Sequence, residues 1–236
     1  MDKISRKNVR DTQSGRRLKD YFYIKRGLAT GDNDFFIMSR QQINERNLDF
    51  EYFRPILPSP RNLKTDEIVA DNNNNPMILP QLFLPNCPLE EDMIQSRYPS
   101  LWQYLLSGIG NTSEKYLCKN RKKWYMQEQR EPATFLCSYM GRSSSNAEKP
   151  FRFILNHSDA VATNTYLMLY PKKDIEHLMA ERPEIKQDIW SCLNSITAED
   201  FESEVRVYGG GLRKIEPKEL GNVCCTKLDS LINNLC

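Results

Sequence analysis

Tyr23-Ile-Lys-Arg-Gly-Leu-Ala-Thr-Gly-Asp-Asn-Asp-Phe-Phe36 is the stretch on which the reading of the fold turns. Tyr21 to Ile24, rich in aromatic and β-branched residues, reads as a strand. Gly27-Leu-Ala-Thr-Gly31-Asp-Asn33 reads as a turn and Phe35-Phe-Ile-Met38 as a second strand, so the three together predict a hairpin or a tight strand–loop–strand unit. Further along, Phe53-Arg-Pro-Ile-Leu-Pro-Ser-Pro-Arg61 excludes helix, because its prolines impose an extended path and remove backbone donors. Asn72 to Asn75, followed by Pro76, reads as an exposed tip within a loop insertion around residues 62–95. Pro99-Ser-Leu-Trp-Gln-Tyr-Leu-Leu106 suits a helix with proline in its first turn, ended by Gly108 and Gly110. Strands are expected at Thr134–Tyr139, Phe151–Leu155 and Thr165–Tyr170, with Gly141–Asn146 as a polar link. Ile185, Ile189, Leu193 and Ile196 recur at helical spacing, and Thr197-Ala-Glu-Asp200 resembles a helix start. Val205–Tyr208 reads as a strand running into the triple glycine 209–211, and a last short helix is expected over Lys227–Leu235. The fold class is α+β, a mixed or antiparallel sheet with peripheral helices.

The 236 residues are 39% hydrophobic and 27% charged, which is ordinary for a globular chain able to bury a real core. No apolar run approaches the roughly 20 residues of a membrane helix, and the N-terminus lacks the apolar core of a secretory signal. A cytoplasmic location without membrane partners is therefore expected. Seven cysteines stand at 87, 118, 137, 192, 224, 225 and 236, without a Cys-x-x-Cys pair, and the histidines are His157 and His177. That ligand supply predicts reduced, mostly buried thiols and no metal site. The formal charge of +2 is uneven. Residues 1–26 carry nine basic and three acidic side chains, hence +6, which leaves −4 for the rest. Residues 1–17 read as a flexible basic lead-in, and Lys119-Asn-Arg-Lys-Lys-Trp-Tyr125 is a second cluster that mixes cations with aromatics.

The blocks Tyr23–Phe36 and Phe53–Arg61 resemble the start of the target-recognition domain of adenine-N6 DNA methyltransferases of restriction–modification systems, the TaqI-like class. The resemblance continues in order through Tyr98–Trp102, Tyr116–Cys118, Arg121–Arg130, Phe135–Arg142, Phe151–Ser158, Thr163–Tyr170, Leu193–Thr197 and Val207–Leu220. It covers nearly the whole chain, and the joint order of the blocks is more specific than any one of them. It implies a target-recognition-domain-like fold over residues 18–236, with double-stranded DNA as partner and S-adenosylmethionine as cofactor of the parent enzyme. The catalytic Asn/Asp-Pro-Pro-Tyr/Phe tetrapeptide of such enzymes has no counterpart here, since the chain has no Pro-Pro pair. Gly209-Gly-Gly211 lies too near the C-terminus to open a Rossmann nucleotide-binding unit. The chain is therefore expected to hold no Rossmann methyltransferase domain, no catalytic residue and no cofactor of its own. It reads as a fragment or split subunit, inactive alone, that works with a separate methyltransferase catalytic domain or subunit.

The candidate DNA contacts follow from residue chemistry. The Gly27–Asn33 loop, with Thr30 and Asn33, offers backbone donors and short polar side chains to a phosphate or base edge. Lys25, Arg26, Arg61, Arg121, Lys122, Lys123 and Arg142 supply cations for phosphates or guanine, and Trp124 is placed to stack on an unpaired base. Asn156, His157 and Asn164 lie at strand ends, and Gly209, Gly210 and Gly211 let backbone approach DNA closely. Two alternatives stand beside this reading. Asp200 with Glu216-Pro-Lys218 imitates a metal-dependent endonuclease pattern, although Pro217 interrupts the strand which that pattern needs. A protein-interaction remnant would instead expose Tyr21, Phe22, Tyr23 and the helix carrying Trp190.

Overall fold

The computed structural model describes residues 15–142 and 149–235. Its strands are β1 (Phe22–Arg26), β2 (Met38–Ser39), β3 (Phe53–Ile56), β4 (Glu67–Ile68), β5 (Leu82–Pro85), β6 (Phe135–Ser138), β7 (Met140–Arg142), β8 (Phe153–Asn156), β9 (Tyr166–Pro171), β10 (Arg206–Tyr208) and β11 (Leu212–Lys214). The helices are α1 (Leu18–Tyr21), α2 (Asn33–Phe36), α3 (Arg40–Glu45), α4 (Glu91–Arg97), α5 (Pro99–Leu106), α6 (Tyr116–Lys119), α7 (Lys173–Glu181), α8 (Ile185–Asn194), α9 (Pro217–Asn222) and α10 (Thr226–Asn233). The class is α+β, with mixed and antiparallel sheets and peripheral helices, as the sequence pattern implied.

The principal sheet runs β1-β9-β6-β8-β4, antiparallel except where β4 joins β8 in parallel. Strands β6 and β8 read as unbroken apolar runs because both of their faces are covered. Successive side chains point to opposite faces. Phe135, Cys137, Phe153, Leu155, Leu167 and Leu169 therefore meet the helical layer of α7, α8 and α10. Leu136, Ile154, Tyr166 and Met168 face the other way, onto Leu57, Ile68, Ala160 and Ala162. The helical layer is amphipathic as the spacing predicts. Ile185, Ile189 and Leu193 of α8 are buried, and Trp190 Nε1 donates to Phe153 O at 2.8 Å. Ile196, just past the helix end, is buried in the same core.

A second core lies around the sheet β2-β5-β3 and helices α2 to α5, with Phe36, Ile43, Phe83, Ile94 and Leu101 fully buried. The third sheet, β10-β11-β7, continues from the end of β6, where Tyr139 passes the chain from one sheet to the other. The crossover from β8 to β9, residues 157–165, is clamped between the first two units. Leu57 N–H donates to Val161 O at 2.8 Å and Leu28 N–H to Ala162 O at 3.0 Å.

Several expectations are corrected here. The hairpin after Tyr23 does not form, because β1 pairs with β9 and residues 33–36 turn into α2. Thr30 and Asn33 bond to each other through their side chains, and the Phe36 N–H donates to Asp32 O, so local polar bonds replace a ladder. Residues 62–95, expected as an inserted loop, supply β4, β5 and α4 and bury Ile68, Phe83, Leu84 and Ile94. Thr197 and Asp200 exchange the hydrogen bonds of a helix start, yet turns follow them and no helix. Tyr21 and Phe22 are buried, and Trp190 packs on the chain's own core, so of the four aromatics named for a partner face only Tyr23 is exposed. Most of the lead-in, residues 1–14, and residues 143–146 of the polar link lie outside the described residues.

Candidate nucleic-acid interface

One end of the principal sheet gathers chemistry that the sequence scatters over nearly two hundred residues. The antiparallel register brings the last residue of β1, Arg26, beside the start of β9, which lies against the end of β6. Arg26 stacks its guanidinium 3.9 Å from the Tyr139 ring centroid and donates through Nε to Asn164 O at 3.0 Å. Lys214 Nζ approaches the same ring at 5.1 Å and pairs with Glu216 at 2.9 Å, while the Tyr139 hydroxyl donates to Glu216 Oε1 at 2.6 Å. The Tyr139 bond first, and the Glu216 carboxylate second, push Lys214 up to about 12. The same hydroxyl and Lys214 hold the Glu216 carboxyl below the usual carboxylate range against the opposing effect of its desolvation.

From this stack the β10–β11 ribbon projects. Its register pairs Arg206 with Lys214, Val207 with Arg213 and Tyr208 with Leu212, and β7 continues it through Leu212 to Arg142. All three residues of β10 are exposed, Val207 at 67%. The tip is Gly209–Gly211, where Gly210 and Gly211 take φ of 71° and 70°, conformations that favour glycine. Arg206 is paired with Glu219 at 2.8 Å. Arg213 has no ion pair among the described residues. A two-stranded ribbon is one of the elements that the major groove admits.

Beside Arg26, the Gly27–Asn33 loop walls a pocket of about 330 Å³ whose lining includes Asp32, Asn33, Lys115, Leu117 and Asn164. A Cβ on Gly27 would lie 2.1 Å from Thr163 O, so only glycine permits this approach. Asp32 pairs with Lys115 at 2.6 Å and accepts from Thr112 Oγ1 at 2.7 Å. Desolvation pushes its carboxyl upward, but Lys115 and Thr112 outweigh it and hold the group below its ordinary value.

The sequence-predicted contacts divide accordingly. Lys25, Arg26, Asn33 and Asn164 fall on this end of the sheet with Gly209, Gly210 and Gly211 of the ribbon, and Arg142 holds the matching register position on β7. Arg61 is exposed in the turn Pro60–Asn62, which Arg152 at the start of β8 holds through Pro60 O. It flanks the same end on the β4 side, four strand spacings or roughly 19 Å from β1.

Others have different duties. Thr30 is 2% exposed and shapes its loop through Asn33. Arg121 is half-buried and donates to Ala29 O at 2.7 Å, and burial lowers its pKa. Lys123 is held by Glu90 at 2.5 Å, and Trp124 packs against Phe35 and Phe36. Lys122 alone of that run is exposed without an ion pair among the described residues. Asn156 is 4% exposed, accepts from Ser158 and donates to Ala133 O and Ala160 O. Together with His157, which pairs with Glu67 at 3.0 Å, it sits at the opposite end of the sheet.

Tyr139 and Lys214 carry no signal of their own in the sequence. The trace of the ribbon in the sequence is the strand-like Val205–Tyr208 before the triple glycine, with Arg213 and Lys214 after it. The endonuclease pattern is taken apart: Glu216 caps α9, Lys218 lies on that helix and not on a strand, and Asp200 is bonded to Thr197. Among the described residues no three His, Cys, Asp or Glu side chains gather as a metal site, and no helix is long and apolar enough to cross a membrane.

These elements define an α+β unit with a basic ribbon and a polar loop pocket at one end of its main sheet. The chain belongs to the family described as Type II methyltransferase M.Eco57I, C-terminal domain, whose model matches residues 4–234. It is 28% identical over 204 residues to Type II methyltransferase M.AccI of Acinetobacter calcoaceticus, covering 85% of this chain and 34% of that protein. It is 31% identical over 124 residues to Type II methyltransferase M.XamI of Xanthomonas campestris pv. amaranthicola, covering 52% of this chain and 20% of that protein. The chain thus matches about a third and a fifth of these curated relatives. Among solved structures, the Type IIL restriction–modification enzyme MmeI in complex with DNA aligns at TM-score 0.34 and 12% identity, covering 66% of this chain and 20% of that one.

Proposed function

We propose that residues 18–236 form the DNA target-recognition domain of a site-specific adenine-N6 DNA methyltransferase of a restriction–modification system, acting in the cytoplasm. The basic residues 1–17 lead into it. The observation that carries this reading is the convergence of Arg26, Tyr139, the β10–β11 ribbon and the Gly27–Asn33 loop on one sheet end, in a chain of the Type II methyltransferase C-terminal family. In this reading the ribbon enters the major groove, while Lys25, Arg26, Arg142 and Arg213 neutralise phosphates or read guanine. Arg61 and Lys122 contact the flanking backbone. S-adenosylmethionine and methyl transfer belong to a methyltransferase catalytic domain or subunit that acts with this one. The chain supplies grip and specificity.

The test is a titration of the purified chain on random duplex DNA at two salt concentrations, with and without S-adenosylmethionine. Binding that weakens steeply with salt and ignores S-adenosylmethionine is the expected result. Absence of binding at low salt counts against the reading.

A further inference from the structure

We propose that Tyr139 is the positioning residue of the β10–β11 ribbon: its hydroxyl, through Glu216, fixes the ribbon relative to Arg26 so that one duplex meets both. This inference rests on the DNA-recognition reading and assigns within it a residue that does not itself contact DNA.

Tyr139 is bonded to both sides of the joint between the principal sheet and the ribbon. Its N–H donates to Thr165 O at 2.9 Å, next to β9, and its carbonyl accepts from the Ile215 N–H at 3.2 Å, next to β11. The side chain repeats the arrangement. Its ring carries the Arg26 guanidinium, which belongs to β1, and its hydroxyl reaches Glu216, which follows β11. The residue is 3% exposed, so water does not compete for that bond.

Glu216 links the joint to the ribbon's other ties. It opens α9, and its N–H donates to Glu219 Oε2 at 2.7 Å within the capping box. Each of these two carboxylates holds one strand of the ribbon, Glu219 pairing with Arg206 of β10 and Glu216 with Lys214 of β11. Helix α9 is fixed in turn, with Leu220 fully buried in the core under the principal sheet. Both strands are thus tied to one helix start, and Tyr139 joins that start to Arg26. No residue of β10 or β11 is buried. Apart from its ladder to β7, the ribbon's direction therefore rests on these polar ties and not on packing. A ribbon that lacks the Tyr139 bond has to be ordered when the duplex arrives, and that ordering weakens binding.

The experiment sets Tyr139→Phe, which keeps the ring and removes the hydroxyl, beside Tyr21→Phe. The buried Tyr21 hydroxyl makes the same kind of bond, to Asp229 Oδ1 of α10 at 2.7 Å, and none to the ribbon. Two quantities are read: amide hydrogen exchange over residues 206–214 without DNA, and Kd for random duplex DNA at two salt concentrations. In Tyr139→Phe the ribbon amides should exchange faster and Kd should rise roughly tenfold, the size of one hydrogen bond to a charged group. The salt slope should stay at the wild-type value, because every cation is retained. Tyr21→Phe should change neither ribbon exchange nor Kd. Unchanged ribbon exchange, an unchanged Kd or a reduced salt slope in Tyr139→Phe overturns the assignment. So does an equal loss of affinity in Tyr21→Phe, which marks a general effect on the fold. Failure of the wild-type chain to bind any duplex overturns the DNA-recognition reading and this inference with it.

Discussion

Two segments of this chain mix cations with aromatics, Lys119–Tyr125 and Arg206–Lys214, and the fold treats them in opposite ways. The first is largely spent on structure. Lys119 pairs with Glu114, Arg121 clamps Ala29 O, and Lys123 is paired with Glu90 beside Glu91 and Asp92, whose charges also raise its pKa. Trp124 and Tyr125 close the second core. The second segment is held by its hydrogen bonds to β7 and by ion pairs from Arg206 to Glu219 and Lys214 to Glu216, and it leaves Val207 and the glycine tip exposed and the half-buried Arg213 without an ion pair among the described residues. A count of charges therefore says little about availability. What decides is whether backbone carbonyls and carboxylates have already taken each cation.

This contrast yields measurable differences in stability. The largest belongs to the loop that Arg121 clamps. Gly27→Ala places a methyl against Thr163 O and should cost about 3 kcal/mol. A Cβ on Gly209, at the ribbon tip, meets nothing within 4 Å, so Gly209→Ala should stay within about 0.5 kcal/mol. Denaturant unfolding of the two variants, each against the wild type, reads the difference; equal losses would break the contrast. Next in size, Arg121→Ala removes a charged donor from Ala29 O and should cost about 2 kcal/mol, whereas Arg213→Ala should move stability by no more than about 0.5 kcal/mol. A neutral Arg121→Ala would return that arginine to the set of free cations.

The smallest effect is one of pH. The folded-state pKa of Asp32 lies below its unfolded value, so its contribution is fully present above the unfolded pKa of about 3.9 and is lost as pH falls through the folded one. The Tm gap between wild type and Asp32→Asn should hold near neutrality and close as pH falls below about 4. A gap constant down to the acid limit of folding would mean that the carboxylate charge contributes nothing to the loop.

Much of the fold was legible because burial leaves a period in the sequence. The apolar runs at 135–138, 153–156 and 166–169 and the spacing of Ile185, Ile189 and Leu193 each mark a covered face. Pairing was not legible. Tyr23–Phe36 looks locally like a hairpin, but β1 finds its partner about 145 residues away in β9, and that choice is made by the cores on either side of the sheet. The site was half legible for the same reason. Arg26, Asn33, Asn164 and the triple glycine were named by residue type and lie near one sheet end, while Tyr139 and Lys214 join them through a stack that only the third dimension creates. Arg121, Lys123 and Asn156 misled because their partners, Ala29 O, Glu90 and Ala160 O, are distant in sequence or invisible as backbone.

Whether the unpaired Arg213 of the ribbon grips DNA while the paired Lys123 of the other segment does not is read from salt slopes of the two variants on one duplex. Each neutralised phosphate contact contributes about 0.9 to the slope of log K against log salt. Arg213→Gln should lower the slope by about 0.9, whereas Lys123→Gln, whose cation Glu90 already holds, should leave it unchanged. An unchanged slope in folded Arg213→Gln, or an equal loss in Lys123→Gln, would mean that the two segments do not differ in their hold on DNA.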